Sequence, residues 1–325
     1  MIQSVHHHRT YQPALLFLVA LVSCAPLHPE SKEPFSLDKT LFDAPRAFAE
    51  VEAFVHTGPR VSGTEGAKKA ADYLLQRLVS IGIPAELQTF EDQSPLGTTT
   101  FHNVVGTLPG DRSDILILGS HFDTKYGIEG FLGANDSGSS SGLLLELGRV
   151  WKTSTDNSRD RPTLRLVFFD GEECRHRYGA NDGFHGSKAY VDSLEKAGEI
   201  DRVHAMILLD MIGDRDLSVT IPRNSTPALA LLAFHAATAV GRRDAFSWHE
   251  AAVGDDHVAF LDAGIPAIDL IDFQFGSAPG KNDYWHTPED TMDKISIESL
   301  DTVGRVTLYM LQQLVEDLRL SKPPR

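Results

Sequence analysis

The chain predicts an α/β fold, a three-layer sandwich whose mixed, mostly parallel central sheet carries helices on both faces. Short apolar runs rich in β-branched and aromatic residues, such as Leu166-Val167-Phe168-Phe169 and Val203 to Leu209, read as buried strands. These runs alternate with longer stretches of helical period, and that alternation implies a largely parallel sheet covered on both sides. The 325 residues, 42% of them hydrophobic, suffice for one large core, and no internal repeat divides them.

From the start, Met1 to Cys24 has Arg9 and a few histidines and then the apolar run Ala14 to Val22, too short to span a bilayer as a mature helix. Residues 1–23 therefore read as a signal peptide. Leu21-Val22-Ser23-Cys24 resembles the lipobox of bacterial lipoproteins, which implies cleavage before Cys24, acylation of its sulfur and anchoring at a bacterial cell envelope, facing the periplasm or the outside. An ordinary cleaved secretory signal with an incidental cysteine is the alternative. Residues 24–36 are rich in Pro, Glu, Ser and Lys, the composition of a flexible tether. One domain is expected over residues 37–320, with 321–325 as a tail.

Within that domain, Leu41 to His56 has mostly helical spacing, although Pro45 restricts where the helix starts. A second helix has Thr64 as its N-cap and ends near Gly82. Runs at Glu86 to Phe90, Phe101 to Leu108 and Asp114 to Ser120 read as strands, and their hairpin-length spacing predicts antiparallel pairing at this edge. Helices follow at Ser137 to Trp151, Gly186 to Ala197, Pro227 to Val240, Asp255 to Leu261 and Ile297 to Leu318, with strands to Phe169, at Val203 to Leu209 and at Ala267 to Ile271.

A formal charge of -15 offers no basic stripe for phosphates and argues against nucleic acid. The only cysteines are Cys24 and Cys174, so there is no disulfide framework, and Cys174 reads as a small packed residue, with a metal-binding thiolate as the lesser alternative.

Chemistry concentrates at the strand tips, where ligands sit in open α/β sheets. The strand ending at Phe169 presents the adjacent carboxylates Glu172 and Glu173. Two close carboxylates do not both ionise freely, so one is free to bind metal while the other, its pKa raised, carries protons. His121 follows another strand, Asp136 precedes a helix, Asp210 ends a strand, and His286 lies in the loop Asp283 to Pro288. Taken alone, Asp136 reads equally as a helix cap and Asp210 as the start of a turn. Together they form a mixed oxygen and nitrogen set that suits zinc with one position open. The remaining loop histidines, His185 and His249 among them, are expected to face solvent.

This ordered set resembles the zinc peptidase family M28. Within it, the segments Phe90 to Gly97, Phe101 to Leu108, His121 to Tyr126, Phe168 to Glu173, Asp255-Asp256-His257 and Trp285-His286 resemble the animal-type glutaminyl-peptide cyclotransferases. Three features separate the chain from the aminopeptidases: Asp255 where those have serine, Trp285 where tyrosine is more usual, and a longer segment between Glu173 and Gly186-Ser187.

The resemblance implies a zinc aminopeptidase-like fold and one zinc ion held by Asp136, Glu173 and His286. Glu172 would move the proton, Asp210 would hold the substrate amide nitrogen, and Asp255 would complete an acidic chain with it. Trp285, Asp269 and Tyr178 would line the substrate pocket, Asp269 standing where animal enzymes have histidine. Expected substrates are peptides or proteins with N-terminal glutamine, the only membrane contact is the lipid, and the chain is expected to be a monomer. The alternative within the family is a two-zinc aminopeptidase, in which His121 and Asp210 join a second zinc. A non-catalytic binding protein on this scaffold would have lost a ligand or the base, and neither is lost.

Overall fold

The computed structural model describes residue 1 and residues 33–154 and 158–321. The rest of the expected signal peptide, Cys24, the tether up to Lys32 and the tail after Ser321 lie outside the described residues. Asp43 caps the first helix, α1 (Ala44–Val55), by accepting the Arg46 N–H at 3.0 Å. Pro45 occupies its first turn, where a missing N–H costs nothing, so the helix starts at Ala44 rather than Leu41. Thr64 caps α2 (Glu65–Ser80), as its position in the sequence implies.

β1 (Ala85–Ser94) and β2 (Gly97–Leu108) then form an antiparallel hairpin around Pro95-Leu96. The other elements in order are β3 (Ile115–His121), α3 (Ser140–Thr153), β4 (Thr163–Phe169), α4 (His185–Lys196), β5 (Val203–Asp210), β6 (Val219–Pro222), α5 (Pro227–Ala239), β7 (Phe246–His249), α6 (His257–Asp262), β8 (Ala267–Ile271) and α7 (Ile297–Leu320).

The main sheet has strand order β1-β2-β4-β3-β5-β8-β6-β7. Its middle strands β4, β3, β5 and β8 are parallel, β2 joins β4 antiparallel, and β6 joins β8 antiparallel. The spacing of the first three strands therefore misleads about β3, which pairs with β4 and β5 and not with the hairpin. Its seven residues are all buried, which suits a central strand better than an edge. Strands β6 and β7, at four residues each, are too short to display a period in the sequence.

The pleat divides the core. Leu116, Leu118, Leu164, Leu166, Ile207 and Leu209 face the layer of α1, α2, α3, α5 and α7. Their neighbours Ile115, Ile117, Val167, Phe169 and Leu208 face α4 and α6 through Tyr190, Leu194 and Phe260. Helices α1 and α3 meet at Gly142, where a Cβ would come within 2.5 Å of the Val51 backbone nitrogen. Among the described residues no helix is long and apolar enough to cross a membrane. The parallel strands end together, and the loops beyond their carboxyl ends carry the polar residues singled out above.

Candidate active site

Asp136 sits in a tight turn, residues 134–139, ahead of α3. Gly133 opens this turn in the left-handed region, at φ 55°, where a Cβ would lie 2.0 Å from the Asp136 carbonyl oxygen. Asp290 fastens the turn by accepting the N–H groups of Asn135 at 2.7 Å and Asp136 at 3.1 Å. Beside it Arg60, fully buried, donates to the carbonyls of Phe122, Leu132 and Gly133. Burial, then the Asp136 charge, pushes the Asp290 carboxyl up to about 8, and the nearby Arg60 guanidinium acts against that rise. The carboxylate of Asp136 is thus aimed by backbone contacts rather than by its own side-chain packing. Asp136 is not the N-cap of α3, a position that Ser139 takes.

Glu172 and Glu173 follow β4, and their N–H groups donate to the two oxygens of Asp123 at 3.1 and 3.2 Å. His286 has φ 54°, a left-handed conformation that costs about 1–2 kcal/mol in a non-glycine residue. Trp285 stacks on its ring with centroids 4.0 Å apart, and Phe131 meets it edge-on. His286 Nε2 lies 2.9 Å from Glu173 Oε1 and 3.3 Å from Asp136 Oδ2. Ligands on a tetrahedral ion with bonds of about 2.0 Å are separated by roughly 3.3 Å. Asp136 Oδ2 is buried and makes no well-directed hydrogen bond beyond its 3.3 Å approach to His286 Nε2, which suits an oxygen that shares a cation with that nitrogen. The three residues therefore fit zinc in both donor type and spacing.

A second group shares Asp136. His121 Nε2 lies 3.1 Å from Asp136 Oδ1 and 3.2 Å from Asp210 Oδ1, and these three residues also have metal-ligand spacing. Burial opposes charge on His121, but the Asp210 carboxylate and hydrogen bonds with Asp123, Asp136 and Asp210 lift its pKa well above the imidazole range.

These residues meet in a cavity of about 140 Å³, whose walls include Asp136, Glu172, Glu173, Tyr178, Asp210, Met211, Asp255, Phe273, Trp285 and His286. Burial, then the Glu173 charge, pushes the Glu172 carboxyl well above its usual range. Burial, then Asp210, does the same to Asp255. The Tyr178 hydroxyl reaches Glu172 at 3.4 Å and Glu173 at 3.3 Å.

The structure thus brings together Asp136, Glu172, Glu173, Asp210, Asp255, His286, Trp285 and Tyr178, with His121 on the far side of Asp136. Asp269 is a correction. It was expected in the pocket but is fully buried and does not line the cavity; it lies behind Asp255, whose charge helps raise its carboxyl pKa. Its place in β8 explains this, since a residue inside a central strand cannot reach past the strand tip. His185 is another correction. It starts α4, is buried, stacks on Phe101 and pairs with Asp92 at 2.7 Å.

Sequence reasoning gave no role to Arg60, Asp123, Lys125, Phe273 or Asp290. Asp123, two residues after His121 on a strand tip, and Lys125, in the same segment His121 to Tyr126, carried a signal that could have marked them.

The model of peptidase family M28 matches residues 103–311. A glutaminyl-peptide cyclotransferase of Drosophila melanogaster is 29% identical over 282 residues, covering 79% of this chain and 78% of that protein. A crystal structure of an Acidobacteriales bacterium glutaminyl cyclase is similar at 30% identity and TM-score 0.77, covering 90% of this chain and 99% of that one. A Zn-dependent exopeptidase from Parabacteroides distasonis is similar at 25% identity and TM-score 0.72, covering 83% and 98%.

If Asp290 aims Asp136, then Asp290→Asn should weaken zinc binding by about 10-fold or more while the protein stays folded. Competition with a chromophoric chelator reads this directly, and unchanged affinity in the variant would remove the role.

Proposed function

The chain belongs to peptidase family M28 and is one of its glutaminyl-peptide cyclotransferases, and we propose how its residues divide that reaction, the closure of N-terminal glutamine to pyroglutamate with release of ammonia. The observation that carries the proposal is convergence: the triad of Asp136, Glu173 and His286, the carboxyl of Glu172 and the acids Asp210 and Asp255 all face one small cavity. Zinc held by the triad would polarise the side-chain carbonyl as a Lewis acid.

The α-amine nitrogen attacks the carboxamide carbon, and Glu172 accepts the proton that the amine loses. When the bond to the carboxamide nitrogen breaks, Glu172 returns this proton and ammonia leaves. Asp210 holds the amide nitrogen, and Asp255 beside it completes the acidic chain. Trp285 and Tyr178 confine the side chain in the folded-back shape that closure of a five-membered ring requires, and such positioning supplies much of the rate. Asp269 contributes from behind Asp255 rather than by touching substrate.

One zinc per chain is proposed, with His121 hydrogen-bonding between Asp136 and Asp210. The spacing of His121, Asp136 and Asp210 favours a second reading, a two-zinc aminopeptidase. Metal analysis separates the two, since two zinc ions per chain would make His121 and Asp210 ligands.

The remaining proposals rest on sequence: residues 1–23 as a cleaved signal, Cys24 as a lipid anchor at a bacterial envelope, a tether to residue 36, and a monomeric catalytic domain over 37–320.

Glu172→Gln should lower turnover by at least about 100-fold and keep its zinc, whereas Asp136→Ala should lose both. Near-normal activity in Glu172→Gln would refute the base assignment. Because the base must be ionised and its carboxyl is raised, kcat/KM should increase with pH through an acid limb lying above the ordinary glutamate range. An acid limb at an ordinary glutamate pKa would contradict that environment.

A further inference from the structure

Lys125 lies in the loop after β3 with its side chain largely buried, 15% exposed. Its ammonium is 3.1 Å from Glu173 Oε2 and 3.1 Å from Cys174 Sγ, and it sits 5.2 Å from the centre of the Tyr178 ring. The Tyr178 hydroxyl, between the two glutamates, reaches the same Glu173 oxygen at 3.3 Å and Glu172 at 3.4 Å. The other oxygen, Oε1, faces the His286 imidazole at 2.9 Å. The two oxygens of Glu173 are therefore divided between different partners. One is occupied by an ammonium and a phenol, and one is left toward Asp136 and His286.

We propose that Lys125 is a positioning residue that holds Glu173 so that a single oxygen is available to the metal. The proposal rests on the triad assigned above. A free carboxylate on a flexible side chain turns readily to offer both oxygens to a divalent ion, and a second oxygen would add a fifth ligand and leave the ion a weaker Lewis acid toward the substrate carbonyl. Lys125 prevents this with a charge-assisted hydrogen bond, the stronger of the two contacts to Oε2. Cation–π contact with Tyr178 fixes the ammonium in turn and ties the loop after Cys174 to the floor of the site. The same charge offsets part of the repulsion among Asp136, Glu172 and Glu173, all of them buried. Neither role needs the lysine to touch substrate.

The test uses the full chain stripped of metal and reloaded with cobalt(II), whose visible absorption is intense in four-coordinate sites and several-fold weaker in five-coordinate ones. Wild type and Lys125→Arg should give the intense spectrum, and Lys125→Met the weak one, with circular dichroism reporting the fold of each. With zinc, Lys125→Met should lower kcat about 10-fold while KM stays within about 2-fold, the pattern of a weakened Lewis acid rather than of a damaged pocket. Cys174→Ala, which removes the other partner of the ammonium, should keep the intense spectrum and supplies a second reading should Lys125→Met fail to fold. A wild-type spectrum in Lys125→Met, or a weak one in Cys174→Ala, would overturn the proposal and leave the triad standing. Wild-type protein that binds no cobalt would overturn the triad and this proposal with it.

Discussion

Asp136, Glu172, Glu173, Asp210, Asp255 and Asp269 are buried around the carboxyl ends of β3, β4, β5 and β8, where bulk water cannot compensate their charge. Carboxylates packed this closely must gain cations, share protons or stay neutral. The structure does all three. Lys125 places positive charge on Glu173, His121 serves Asp136 and Asp210, and Glu172, Asp255 and Asp269 are driven toward their protonated forms. A site that holds a divalent ion and moves a proton needs both kinds of carboxyl group, and this packing produces them from one residue type.

Holding such a cluster falls to the backbone. The parallel strands bring their tips together, and buried polar groups aim the side chains that follow: Asp290 and Arg60 at the Asp136 turn, Asp123 beneath Glu172 and Glu173. Asp136 stands at the centre, one oxygen toward His121 and the other toward His286. Two triads share Asp136 on this framework, so the residues that aim each triad matter as much as the ligands.

Much of this was legible in the sequence, because it rests on features that survive in one dimension. The apolar runs gave the central strands, Thr64 marked one helix start and Pro45 restricted another, and residues ending successive strands had to lie near one another in a parallel sheet. The exceptions have physical causes. β4 stands between β3 and its predecessor β2, because strand order is decided by which run is buried on both faces, not by spacing. β6 and β7 were too short to show alternation. Asp269 was placed in the pocket although its position inside β8 points it behind Asp255. Asp290 and Lys125 act through contacts with residues more than 40 positions away in the chain, and no local pattern encodes those.

These groups close a glutamine side chain on its own amine rather than deliver water to a peptide bond. The direct measurement incubates the zinc-loaded protein with a peptide bearing N-terminal glutamine and weighs the products. Loss of one ammonia with every peptide bond intact is the expected result. Release of free N-terminal amino acids would contradict it and turn the same residues into a peptidase site.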